Sequence, residues 1–131
     1  MITQGSNLPL YFSNLPISLD SIADVSAGIY TQKDGKELKH WSKDDLTVTE
    51  NGILAPITQA ESMGLPVGFC YVELKFTDNS GMILPGIRVM EHVSRRDDKT
   101  ELSGEQPQTL RYVDIDCSNV LADVPFRNFS V

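Results

Sequence analysis

Cysteine, histidine and tryptophan are scarce in this chain, with two, two and one among 131 residues. Cys70 and Cys117 cannot make the multi-bridge framework of a small exported domain, so both are expected to be reduced thiols. His40 and His92 have no second ligand at zinc-site spacing. Basic residues are a minority, 11 Lys and Arg against 18 Asp and Glu, for a net charge of -7. That sign argues against a phosphate-backbone binder, which needs a basic stripe, and against docking on anionic lipid. No apolar run approaches the roughly 20 residues of a membrane-spanning helix. Met1-Ile2-Thr3-Gln4-Gly5 has neither the basic start nor the apolar stretch of a secretory leader, so synthesis in the cytoplasm is expected.

Motifs that carry chemistry are also missing. There is no Gly-rich phosphate loop, no Gly-x-Ser-x-Gly elbow and no His-Glu-x-x-His pair. Asp44-Asp45, Asp97-Asp98 and Asp78-Asn79-Ser80-Gly81 read as solvated turns, too short to wrap calcium in six to eight oxygens. Cys70 falls among apolar neighbours, where a thiol is inert. Cys117 follows Asp114 and Asp116, whose charges oppose thiolate formation. Nothing fixes a separation between Glu61 and Glu73 that acid–base catalysis could use. Arg95-Arg96 runs straight into two aspartates and reads as a salt-bridged rim. The expectation is a protein that is not an enzyme and has no cofactor or metal.

What is present is β structure punctuated by turns. Strands are expected at 8–13, 25–32, 37–42, 46–49, 53–57, 69–77 and 82–93. Asp34-Gly35 and Asn51-Gly52 are hairpin signals, the latter suited to the positive φ angles of a type I′ turn. Thr58 with Glu61 three residues on forms a capping box and predicts one short helical turn. Between Phe69 and Thr77, Cys70, Val72, Leu74 and Phe76 alternate with Phe69, Tyr71, Glu73 and Lys75, the pattern of a half-buried strand. Ile83, Ile87, Val89 and Val93 are expected on the inner face of the next strand, with a bulge or an edge at Pro85-Gly86. These elements predict an all-β sandwich of about seven antiparallel strands over residues 1–93, a polar linker at 94–108, and a C-terminal segment at 109–131. That segment is too short to fold alone and must pack on the sandwich or on a neighbouring copy.

Three stretches carry a resemblance. They are Ile2-Thr3-Gln4-Gly5-Ser6-Asn7; Lys33-Asp34-Gly35-Lys36-Glu37-Leu38 with Trp41-Ser42-Lys43-Asp44-Asp45-Leu46; and Ile57-Thr58-Gln59-Ala60-Glu61-Ser62 with Leu65-Pro66-Val67-Gly68. Together they resemble small immunoglobulin-like structural proteins of phages and prophages of Gram-positive bacteria, a group similar to the N-terminal domain of upper baseplate proteins. The resemblance covers residues 2–93. It implies an immunoglobulin-like fold and a virion, tail or baseplate component, and it supplies no catalytic residue.

Two functions follow as expectations. The first is assembly with other virion or tail proteins, or with further copies of the chain, through edge strands or the C-terminal segment. Tyr112, Val113, Ile115, Phe126 and Phe129 would then contact a partner. The second is a carbohydrate- or protein-binding module using Tyr30, Trp41 and Tyr71. For Trp41 the competing reading is a core tryptophan between two sheets.

Overall fold

The computed structural model describes residues 1–103 and 111–118. Nine strands, one short α-helix and two single 3-10 turns, Leu19–Ser21 and Lys43–Asp45, order these residues. Five strands form the larger sheet: β1 (Ile2–Thr3), β3 (Ile22–Thr31), β4 (Glu37–Trp41), β7 (Gly68–Asp78) and β8 (Ile87–Ser94), in the order β1-β8-β7-β3-β4. The smaller sheet is β5 (Thr47–Val48), β6 (Ile53–Ala55), β2 (Leu10–Ser13) and β9 (Val113–Asp116), in that order. Helix α1 (Gln59–Met63) lies on the crossover from the smaller sheet to the larger. The fold is an all-β sandwich, as the turn spacing predicts.

The core lies where the inward faces of the sheets meet. Cys70, Val72, Leu74 and Phe76 of β7 are buried, and so are Val25, Ala27 and Ile29 of β3 and Ile87, Val89 and Val93 of β8. From the smaller sheet come Leu10, Phe12, Ile53, Ala55, Val113 and Ile115. Burying one such large aliphatic side chain contributes about 1.5–3 kcal/mol. Trp41 is 1% exposed and its indole Nε1 donates to the Pro56 carbonyl at 2.7 Å, so its one polar atom is satisfied inside the core.

Pairing departs from the expected pattern at both ends of the chain. β1 lies parallel to β8, with Ile2 opposite Val93. β9 lies parallel to β2, with Leu10 opposite Val113 and Phe12 opposite Ile115. Neither contact can be read from local turns, because parallel neighbours need a long connection. Val113 and Ile115, expected to reach a partner, instead close the core of their own chain. Phe126 and Phe129 lie outside the described residues.

Two local expectations are corrected. The Asn51-Gly52 turn has no positive φ; Thr49 N instead donates to Gly52 O at 2.8 Å across Glu50 and Asn51. The glycine is required by space, since a Cβ there would lie 2.4 Å from the Phe12 carbonyl oxygen. Ile83, expected inside, is 71% exposed. Leu74 faces Ile87 in the β7–β8 ladder, but Thr77 bridges to Ile83, which is one residue out of that register. A slip of one residue exchanges the faces of a strand. Leu84, whose amide bonds to Phe76 O at 3.0 Å, packs against the core in place of Ile83.

The helix forms as the capping box requires. Thr58 Oγ1 accepts from Glu61 N at 3.1 Å, and Glu61 Oε1 accepts from Thr58 N at 3.0 Å. Ser62, fully buried, donates to the Ser6 carbonyl at 2.7 Å and ties the helix to the N-terminal segment.

Because Ile115 fills the centre of the chain's own sandwich, Ile115→Ala is expected to lower unfolding stability by about 2–5 kcal/mol in urea titration. A change below about 0.5 kcal/mol would show that β9 is not part of the core.

Candidate functional site

The larger sheet presents its outer face to solvent, and the sequence-predicted aromatics divide across it. Tyr30 and Tyr71 are direct cross-strand neighbours on β3 and β7. Trp41 pairs with Ala27 and faces inward, so it sits on the opposite side of the sheet from Tyr30. The three residues therefore form no common site, and the binding-module reading loses its tryptophan. The Tyr30 side chain folds back over Gly28, where a Cβ would lie 2.6 Å from its hydroxyl oxygen. Burial, then the charges of Glu37 and Glu73, raise the Tyr30 pKa, so its phenol stays protonated and can donate a hydrogen bond.

Beside the tyrosines stands a group the sequence reading did not assemble. Residues 69, 71 and 73 of β7 lie opposite 92, 90 and 88 of β8, all with side chains on the outer face. Phe69 meets His92 edge to face, with ring centroids 5.1 Å apart. Tyr71 lies beside Met90, and the Arg88 guanidinium carbon is 5.1 Å from the Tyr71 ring centroid. Arg88 Nε donates to Glu73 Oε1 at 2.6 Å. Phe69 is 56% exposed and Met90 39%. The available signal was the alternation Arg88, Met90, His92 in β8, which mirrors Phe69, Tyr71, Glu73 in β7. Only the register shows that the two sets coincide.

The thiols and the turn carboxylate of Asp78 lie elsewhere. Cys70 faces the core while His92 projects from the other side of the sheet, so thiol and imidazole do not meet. Burial, then Glu91, push the Cys70 thiol up to about 11. Burial, then Asp116 and Asp114, push Cys117 up to about 12. Neither is a thiolate near neutrality. The Asp78 carboxylate is occupied by its own turn, accepting from Ser80 Oγ at 2.6 Å and from the amides of Ser80 and Met82 at 2.9 Å each; these bonds lower its pKa. Among the described residues no group of three or more His, Cys, Asp and Glu is placed to hold a metal ion, and no helix is long and apolar enough to cross a membrane.

A depression of about 570 Å³ opens where β4 passes α1, lined in part by Asn7, Trp41, Asp45 and Glu101. The Lys39–Glu61 ion pair is part of its lining, with the Lys39 ammonium also 5.4 Å from the centroid of the Trp41 ring. Burial alone would raise the Glu61 pKa, but hydrogen bonds from Lys39 and from the Thr58 amide outweigh it and hold the group low. The polar stretch after β8 crosses beside this helix: Leu102 N donates to Gln59 Oε1 at 3.0 Å, and Gln59 Nε2 donates back to Leu102 O. Tyr112 is 41% exposed and stacks at a tilt on Tyr11, with centroids 4.7 Å apart.

No protein-family model matches the chain, and no curated protein or solved structure matches it significantly.

Two measurements follow. Both thiols should resist an aromatic disulfide reagent in the native protein and react fully in denaturant; fast native labelling of Cys70 would mean its strand face is open. Glu61 contributes stability that is present above its ordinary pKa of 4.5 and lost as pH falls through its lower folded value. Glu61→Gln should therefore lower stability at neutral pH and flatten its decline below pH 4.5; an unchanged acid profile would deny the group this role.

Proposed function

We propose that the chain is a non-enzymatic assembly protein of a phage or prophage particle, an immunoglobulin-like module acting in the tail, baseplate or another part of the virion through protein–protein contacts. The observation that carries this reading is the outer face of β7 and β8, where Phe69 and Met90 are left exposed and Tyr71 half-buried next to the Glu73–Arg88 pair. Aromatic residues, methionine and arginine are the side chains enriched at protein interfaces. The resemblance of residues 2–93 to small phage structural proteins supplies the particle. Buried, high-pKa thiols and carboxylates absorbed into caps and turns favour a structural role over a chemical one. The partners are other virion or tail proteins, with neither nucleic acid nor membrane among them; the chain requires no cofactor.

The reading is tested by inducing particle formation in the bacterium that encodes the chain and fractionating the lysate on a density gradient. The chain is expected to band with the particles, in fixed proportion to a tail or capsid protein, and to remain through a salt wash. A chain found only in the soluble fraction at the top of the gradient would contradict a virion role.

A further inference from the structure

The strand edges are poor docking places. β1 and β5 are two residues each, and β4 carries Lys39 and a register shift opposite Ile29 and Tyr30. Short length, bulges and lysine all blunt an edge against pairing with another chain. β9 presents Asp114 and Asp116, like charges that a second copy would meet with its own. The outer face of β7 and β8 is different. Its six paired side chains include one acid and one base, Glu73 and Arg88, in a chain whose net charge is -7. Two copies that repel elsewhere therefore do not repel here.

The register makes the face complementary to itself. From one end to the other its rows are Glu73 opposite Arg88, Tyr71 opposite Met90 and Phe69 opposite His92. A two-fold axis parallel to the strands and midway between β7 and β8 keeps each row at its own level and lays β7 of one copy over β8 of the other. Glu73 then meets the second copy's arginine and Arg88 its glutamate. Tyr71 covers a methionine thioether, which is favourable against an aromatic ring, and Phe69 covers an imidazole. Such an arrangement is isologous, the commonest kind of homodimer contact, and sheets packed face to face with nearly aligned strands are a standard β arrangement. Resting on the assembly reading above and naming its partner, we infer that the outer face of β7 and β8 binds a second copy of this chain about that axis.

Sedimentation of the full chain, from low micromolar to millimolar concentration, tests this with two charge variants. Arg88→Glu makes the row doubly acidic and Glu73→Arg makes it doubly basic. Each alone should dimerise at least roughly tenfold more weakly than the wild type, and an equimolar mixture of the two should recover a heterodimer at close to wild-type strength. Phe69→Ser, at an exposed position the fold does not need, should weaken the dimer independently. The fluorescence of buried Trp41 checks that every variant is folded. A wild type that stays monomeric throughout, a dimer indifferent to all three substitutions, or a mixture no stronger than its components would overturn the inference. A monomer that nevertheless bands with particles sinks self-association and leaves the assembly reading standing; a charge-dependent dimer absent from particles does the reverse.

Discussion

The eleven residues of β7 are the constraint on which the rest of the sandwich depends. This strand alone in the larger sheet is paired along most of its length on both sides, with β3 from Ile22↔Asp78 to Thr31↔Cys70 and with β8 from Gly68↔Val93 to Leu74↔Ile87. Its alternation fixes which side of every neighbour faces the core. Once Val72 and Leu74 are buried, Ile29 and Val89 must be buried too, and Tyr30, Arg88 and Met90 must face outward. Shifting the strand by one residue would expose four apolar side chains and bury Glu73 and Lys75, a change no surface interaction could offset.

The same division sorts the chemistry. Inward positions hold the thiol of Cys70, where burial keeps it protonated; outward positions hold Phe69, Tyr71 and Glu73, where they can meet another molecule. β7 thus separates reactive atoms from accessible ones. The smaller sheet completes the burial. β9 and the residue after it bring Val113, Ile115 and Cys117 against a core that β2 and β6 alone would leave open on one side.

Much of this was legible from residues whose roles are local. The alternation in 69–77 marks its strand because both faces are unambiguous, and the Thr58–Glu61 box marks the helix because both halves of the cap lie within four residues. The Asp34-Gly35 turn was readable for the same reason, and Gly35 takes φ of 67°. What could not be read depends on distant chain. The parallel partners of β1 and β9 are joined to them by long connections, so no turn announces them. Gly52 carries the glycine of a type I′ pair, yet its place is set by the Phe12 carbonyl of another strand. Ile83 looks like an inward residue until the register slip between it and Ile87 is known. The site divides in the same way. The alternation in 69–77 marks Tyr71 as outward, but whether Tyr30 and Trp41 share its face depends on the β3–β4 pairing, which turns Trp41 inward. The rows formed with Arg88, Met90 and His92 exist only in the β7–β8 register.

Amide hydrogen exchange of the folded chain, resolved residue by residue, tests the central position of β7 most directly. The amides of Val72 through Phe76 should exchange slowest, at rates set by global unfolding, while those of the two-residue strands β1 and β5 exchange far faster. Exchange in β7 as fast as in those short edge strands would contradict the account.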